Sequence, residues 1–329
     1  MYTAAYGRTR PDGRVACLLC PQGCVLGDGE TGLCRVRVNK DGQLFTANYG
    51  QVTALALDPI EKKPLYHFHP GAAILSVGSF GCNLGCSFCQ NWEISQQRRA
   101  GQLVAPEDLV ELARKTQAEG NIGLAYTYAE PAVWWEFMLE TAGRIRAAGL
   151  KNVMVTNGYL NPEPWEELLP YLDAVNLDVK AFTGDFYKRH CRGRLEPVLA
   201  SVERLAGRVH LELTTLLIPG WNDGDDEIRT LAQWLAAIDP KIPLHLTRYY
   251  PQYQMDLPPT PPETLERAYR IAREKLDFVY IGNLATDHRH TLCPQCGALW
   301  VERSGWTGRV MGIADGRCRV CGLASPLVL

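Results

Sequence analysis

Three cysteines, Cys82, Cys86 and Cys89, stand in the spacing C-x3-C-x2-C within the Gly-rich stretch SVGSFGCNLGCSFCQNWEISQ. Three thiolates are one short of a closed four-ligand site. A 4Fe–4S cluster takes four ligands, usually all cysteine, so a cluster held here keeps one iron open for a substrate or cofactor. An open coordination position is what separates a catalytic metal centre from a structural one.

The remaining cysteines decide whether that iron stays open. The chain has twelve in all. Cys17, Cys20, Cys24 and Cys34 form C-x2-C-x3-C-x9-C in a Gly-rich segment with no helical period. So few apolar residues cannot stabilise such a module alone, which points to a metal. Zinc suits a structural four-cysteine site, whereas a second iron–sulfur cluster would serve electron transfer, and both readings stand. Cys293, Cys296, Cys318 and Cys321 form two C-x2-C knuckles, the pattern of a ribbon closed by structural zinc. His288 and His290 lie nearby and are expected to be surface residues. Cys191 stands alone. A buried thiol is its expected state; as a fourth ligand it would close the centre and leave an electron carrier.

Bulk properties fit this chemistry. The 329 residues are 46% hydrophobic and 21% charged, enough for one large catalytic core with small appendages. A net charge of −2 without a basic stripe gives no electrostatic support to nucleic-acid or membrane-surface binding. The N-terminus lacks a signal-peptide core, and no apolar run approaches the roughly 20 residues of a membrane span. Metal-binding cysteines in a reducing, cytoplasmic setting are the expectation.

Three regions follow: an N-terminal four-cysteine module with a β-hairpin over 1–72, a catalytic domain over 73–285, and a four-cysteine ribbon over 286–329. In the first, alternating apolar residues around Lys40-Asp41-Gly42 predict the hairpin, and Val52 to Leu57 a further strand or short helix. In the second, apolar runs (Ala73–Val77, Ile122–Tyr128, Asn152–Thr156, Ala174–Val179, Val209–Leu217, Pro243–Thr247, Asp277–Ile281) alternate with helical runs (Pro106–Glu119, Pro131–Ala148, Pro164–Leu169, Glu196–Ala206, Asp225–Ile238, Pro262–Lys275). Pro106, Pro131 and Pro262 suit first helical turns, and Gly120 and Gly149 helix ends. About six strand–helix units imply a parallel sheet, either a complete or partial barrel or a doubly wound sheet. Ligands gather at the C-terminal strand ends in either case, and the three cysteines lie just after the first strand.

That combination resembles the radical S-adenosylmethionine (SAM) enzymes. GCNLGCSFCQNWEISQ and its flanks look like the pyruvate formate-lyase activating enzyme group, and within it the branch called AmmeMemoRadiSam. CLLCPQGC, the G-x-C-R-V-R-x-N segment and the CPQCG…CRVCG ribbon also fit that branch, so the resemblance runs over essentially the whole chain. It implies a partial (β/α)6 TIM-type barrel. Cys82, Cys86 and Cys89 would hold three irons of a 4Fe–4S cluster, with SAM chelating the fourth. One electron would cleave SAM to methionine and a 5′-deoxyadenosyl radical, which takes a hydrogen atom from a substrate.

The resemblance also implies roles residue by residue. Phe88 and Trp92 would form a dry wall, with Phe88 near adenine. Glu130, in Tyr128-Ala129-Glu130-Pro131, stands where the family places a Gly-Gly-Glu-type motif for the SAM amino group, although both glycines are missing here. Thr156 and Asn157 match a T-N-G element near the SAM carboxylate and ribose, with Val155 in place of a common aspartate. Asp178 and Lys180 match L-D-x-K. Ile218, in Leu217-Ile218-Pro219-Gly220, would pack on adenine. His245 and Arg248 match the branch's H-x-x-R, and Tyr249, Tyr250 and Tyr253 would line a substrate pocket.

The implied protein is a radical SAM oxidoreductase similar to glycyl-radical-enzyme activating enzymes. Its substrate would be a small molecule or a protein partner, and its electrons would come from a low-potential donor such as ferredoxin or flavodoxin. Two other readings fit some of the same residues. One is a non-catalytic iron–sulfur electron carrier closed by Cys191. The other is an RNA-modifying or RNA-binding protein, which the neutral charge disfavours.

Overall fold

The computed structural model describes residues 1–329 and centres on one eight-stranded sheet. Strand β1 (Ala54–Pro59) runs antiparallel to β2 (Ala73–Gly78). From β2 onward every neighbour is parallel: β3 (Asn121–Tyr126), β4 (Lys151–Thr156), β5 (Ala174–Asp178), β6 (His210–Leu217), β7 (Leu244–Arg248) and β8 (Val279–Gly282). Spatial order follows chain order from edge to edge, without the reversal that defines a doubly wound sheet. No pairing joins β1 to β8, so the sheet is open.

Six helices make the crossings: α1 (Pro106–Lys115), α2 (Trp135–Ala147), α3 (Pro162–Leu168), α4 (Glu196–Leu205), α5 (Asp225–Ile238) and α6 (Pro262–Arg273). Their limits follow from local chemistry. Pro106 starts α1, where a missing N–H costs nothing, and Asp108 accepts from Ala105 N at 2.9 Å. Leu109 and Ala113 are the face α1 buries. A 3₁₀ turn, Thr116–Glu119, then tightens the end, and Gly120 stops it at φ 85°. No helix is long and apolar enough to cross a membrane.

Two boundaries differ from the sequence expectation. The strand Ala54–Pro59, assigned to the N-terminal module, pairs with β2 over its whole length, from Ala54↔Gly78 to Pro59↔Ala73. A division at residue 72 therefore cuts through the sheet. The run Val52 to Leu57 is short and mostly apolar, and periodicity does not reveal which sheet such a run joins. Moreover, the sheet has seven parallel strands, matching the seven apolar runs in the sequence but one more than the six-stranded barrel that the resemblance implies, because β8 follows the last helix. The predicted hairpin is present as Arg37–Lys40 and Gln43–Thr46. Its turn residues Asp41 and Gly42 lie at φ 53° and 77°, as a two-residue primed turn requires.

The C-terminal region is bound into the fold. Trp300, Val301 and Ile313 share a core with Tyr66, Phe278 and Tyr280. Arg303 lies 4.1 Å over the Tyr66 ring and donates to Tyr66 O at 2.5 Å. Both contacts depend on how the 60–71 segment is held, and Glu212 of β6 holds it. This fully buried carboxylate accepts from Tyr66 N (3.0 Å) and His67 N (2.7 Å), and from the rings of His245 (2.7 Å) and His210 (3.0 Å).

His67 is buried beside Glu212 with its Nε2 2.6 Å from Tyr280 Oη, and burial holds it down to about 3. An unfolded histidine titrates near 6.5. The unfolded chain therefore binds the extra proton first, and stability is lost as pH falls below about 6.5. At pH 5 this one group should cost about 2 kcal/mol relative to neutral pH. Urea unfolding at pH 7 and pH 5 should show that loss in the wild-type protein, and His67→Gln should remove most of it. Parallel losses in the two proteins would refute the assignment.

Candidate functional site

The three-cysteine loop leaves β2 at its C-terminal end and is held along its length. Gly81 N donates to Ile94 O (2.8 Å), Gly85 N to Cys191 O (2.8 Å) and Ser87 N to His190 O (3.0 Å). Asn83 Nδ2 donates to Tyr159 O at 2.6 Å, and Gln96 Nε2 to Leu84 O at 3.1 Å. Gly81 has to be glycine. Its φ is 98°, and a Cβ there would lie 2.4 Å from Val36 Cγ2 and 2.7 Å from the Cys34 carbonyl. The N-terminal module thus packs directly on the loop.

Cys82, Cys86 and Cys89 face one cavity of about 300 Å3 at the C-terminal ends of the strands. Its walls include Phe88, Tyr128, Glu130, Thr156, Asn157, Asp178 and Lys180. Cys82 Sγ accepts from Leu84 N at 3.4 Å and from Asn157 Nδ2 at 3.6 Å. Burial pushes the Cys82 and Cys89 thiols up. Cys86 is also pushed up, first by its contact with the Cys191 thiol and then by burial. A metal reverses this preference, since a coordinating thiol is deprotonated outright.

Glu130 caps the 3₁₀ turn Pro131–Trp134 and does more besides. It accepts from Ala132 N (2.9 Å), Thr156 Oγ1 (2.7 Å) and Asn157 N (2.8 Å), tying the ends of β3 and β4 together. Burial raises its pKa to about 7 against these three donors. The missing glycines are compensated locally. Tyr128 takes φ 70°, a region that favours glycine. Its hydroxyl donates to Asp58 at 2.7 Å, and its carbonyl accepts from Asn91 Nδ2 at 2.7 Å. Lys180 Nζ meets Asp178 at 2.6 Å. Burial alone would pull this lysine down, but the Asp178 carboxylate holds it up and charged.

Several expected residues lie elsewhere. Ile218 is buried in the main core and Leu216 lines the cavity instead. His245 is held by Glu212 and packs edge-on against Tyr66 at 4.7 Å, deeper in the sheet. Arg248 donates to Thr260 O at 2.8 Å and to Tyr250 Oη at 3.1 Å and is not among the lining residues. None of Trp92, Tyr249, Tyr250 and Tyr253 lines it; Trp92 stacks on Tyr253 at 5.3 Å. Sequence reasoning missed Tyr128, Thr247 and Trp306, which do. Trp306 sits at the hairpin tip between Leu299–Ser304 and Thr307–Val310. A tryptophan between two turn-forming stretches of the ribbon was the available signal.

Cys191 is fully buried beside Cys86, on a π-helical turn Tyr187–Cys191, and is not among the cavity's lining residues. The two complete cysteine sets differ in geometry. In the ribbon, Cys293–Cys321 and Cys296–Cys318 sulfurs stand 3.6 and 3.7 Å apart, and all four lie within 4.8 Å of one another. A tetrahedron with metal–sulfur bonds of about 2.3 Å has an edge of about 3.8 Å, so a single ion fits. In the N-terminal set all four cysteines instead surround a common cavity with Gly32, Arg37, Asn83 and Val133.

Comparison with known proteins bears on the family and the fold. The family model of the radical SAM superfamily matches residues 76–235. The chain is 40% identical to an uncharacterized protein of Methanocaldococcus jannaschii, with both chains covered completely. It is 29% identical over 169 residues to the pyruvate formate-lyase-activating enzyme of Clostridium pasteurianum, covering 49% of this chain and 69% of that one. Among solved structures, Streptococcus suis SuiB bound to S-adenosylmethionine is similar with a TM-score of 0.53 at 12% identity. That match covers 64% of this chain and 52% of SuiB, and bears on the fold alone.

Glu130→Gln should test the junction of β3 and β4. Glutamine has one acceptor oxygen and turns an NH2 group toward donors, so at least one buried donor loses its partner. The expected cost is about 1–3 kcal/mol in urea unfolding, whereas Thr156→Ser, which keeps its hydroxyl, should cost clearly less. A Glu130→Gln protein with the wild-type midpoint would contradict this role.

Proposed function

Because this chain belongs to the radical SAM superfamily, we propose that it is an enzyme that cleaves SAM reductively at a 4Fe–4S cluster on Cys82, Cys86 and Cys89 and abstracts a hydrogen atom from its substrate. One observation carries the reading. The three cysteines share a single cavity with Glu130, Asn157 and Lys180 at successive strand ends, and Cys191 lies outside it. The donor set suits the cluster: one buried and two partly buried thiols face the cavity, and Cys82 Sγ accepts from N–H groups of Leu84 and Asn157. When bound, the cluster and SAM supply a one-electron cleavage that gives methionine and a 5′-deoxyadenosyl radical.

The chain's own groups prepare that chemistry. N–H groups aimed at Cys82 tune the potential of whatever its sulfur ligates. Glu130, with about one acceptor site left beyond its three donors, accepts an ammonium group at the cavity wall. Phe88 and Leu84 give an apolar surface that excludes water, and Lys180 supplies a fixed positive charge opposite Asp178. Ile218, His245 and Arg248 support the site through packing rather than contact. We read the open sheet as a partial barrel, and the ribbon as a zinc site on the strength of its sulfur spacing.

The substrate is a small molecule or a narrow segment of a protein. Trp306 and Lys62 stand at the cavity's edge, and the ribbon that carries Trp306 is anchored against the 60–71 segment. Bulky, rigid surfaces are thereby kept from the cysteines. A glycyl-radical partner would have to offer an extended loop, as expected for relatives of activating enzymes.

Anaerobic reconstitution with SAM and a low-potential reductant should yield 5′-deoxyadenosine. Cys86→Ala should abolish it, and Cys191→Ala should keep both the cluster and the product. Absence of 5′-deoxyadenosine from a fully loaded protein, together with loss of the cluster in Cys191→Ala, would defeat the proposal in favour of a closed electron carrier.

A further inference from the structure

The N-terminal four-cysteine module has no part in the site just described, yet it lies against it. We propose that Cys17, Cys20, Cys24 and Cys34 hold a second iron–sulfur cluster, not a single zinc ion, and that this cluster passes electrons to the three-cysteine loop.

The first support is the spacing of the sulfurs. The ribbon's four sulfurs close on a point, as a lone tetrahedral ion demands. The N-terminal four surround a common space with Leu19, Gln22, Gly32 and Val133, and no three of their sulfurs lie within 4.8 Å of one another. A single zinc ion draws its thiolates together as the ribbon does, whereas a cluster of several irons holds them apart.

The second support is Arg37. It is 1% exposed, lines the same cavity, and pairs with Glu136 through Nη1 at 2.5 Å. Its Nε and Nη2 have no hydrogen-bond partner. A buried guanidinium with two unused N–H groups is costly unless an acceptor is supplied. An anionic cluster supplies several. Backbone N–H groups already point at the ligand sulfurs, from Leu19 to Cys17, from Gln22 to Cys20, and from Val36 and Arg37 to Cys34. Such hydrogen bonds to sulfur set a cluster's potential.

The third support is position. Asn83 lines the four-cysteine cavity and is the residue after Cys82. Gln22 Nε2 donates to Asn83 O at 2.8 Å, and Asn157 Nδ2 contacts both Asn83 Oδ1 (2.9 Å) and Cys82 Sγ (3.6 Å). On the other side the Cys34 carbonyl packs on Gly81. The two cysteine sets are therefore separated by single residues. With four cysteine ligands this cluster has no open iron, so its chemistry is electron transfer. One electron passes from a reduced ferredoxin- or flavodoxin-class donor to this cluster and on to the next. The donor is oxidised by one electron and no bond or proton moves. Only the identity of the acceptor rests on the function proposed above.

Metal analysis and electron paramagnetic resonance of the anaerobically reconstituted full chain test this. The wild-type protein should carry about eight irons, and Cys82→Ala/Cys86→Ala/Cys89→Ala should keep about four, with a reduced-cluster signal of its own. Cys20→Ala/Cys24→Ala should keep the other four and their SAM-sensitive signal. In that variant, reduction by flavodoxin should slow on the order of tenfold or more while reduction by a small chemical reductant proceeds. Zinc at the N-terminal site, or about four irons in the wild type and none in the triple variant, overturns the second cluster. Unchanged flavodoxin reduction in Cys20→Ala/Cys24→Ala overturns the relay. A second cluster in a protein that makes no 5′-deoxyadenosine would instead count against the proposed function and leave this assignment standing.

Discussion

The fold turns on one buried carboxylate. Glu212 sits on β6 with no solvent contact and takes four hydrogen bonds, two from backbone N–H groups of the 66–67 segment and two from imidazoles. Its charge is stabilised strongly enough to hold its pKa far below the usual carboxylate range, with the His210 and His245 hydrogen bonds outweighing burial. Removing one partner of such a cluster leaves an uncompensated charge in the interior, a larger penalty than the cluster's net contribution. Through Tyr66 and His67 it fixes the segment on which the ribbon rests, and hence where Trp306 stands relative to the cysteines.

A second carboxylate organises the opposite end of the strands. Glu130 collects donors from its own turn and from β4, so the strand ends lining the cavity are set before any cofactor arrives. Tyr128 accepts an unfavourable left-handed backbone to bring this about, at a cost on the order of 1–3 kcal/mol. Its hydroxyl bond to Asp58 recovers part of that cost, and Asp58 is itself held by Lys63 at 2.7 Å. Strain and support are thus paired within one neighbourhood.

Much of this was legible in the sequence, and the failures have physical causes. Cysteine spacing and proline-started helices are local signals, and the three-cysteine loop, the hairpin and the starts of α1, α4, α5 and α6 stand where they were expected, while α3 starts two residues early at Pro162 and α2 follows a 3₁₀ turn over Pro131–Trp134. Strand ends are harder. On β7, Thr247 lines the cavity, while Arg248, one residue on, faces the other side because successive side chains alternate. His245 shares the face of Thr247 but lies about 7 Å deeper, two residues at about 3.3 Å each. Motif matching reports neither the face nor the depth. The Glu212 cluster was invisible for another reason: its partners come from residues 66, 67, 210 and 245, and only the folded chain collects them.

The contact between Arg37 and Glu136 also orders the protein's assembly. The two residues are 99 positions apart, so the N-terminal cysteines leave the ribosome well before the helix that covers them exists. Until α2 and the loop at Gly81 have formed, Arg37 and the four thiols stay open to water and to whatever delivers metal. Once Glu136 and the loop at Gly81 are in place, that access narrows. Biogenesis therefore has a window: the N-terminal site is easiest to fill on the nascent or partly folded chain, while the three-cysteine site opens on a cavity that stays accessible in the finished fold.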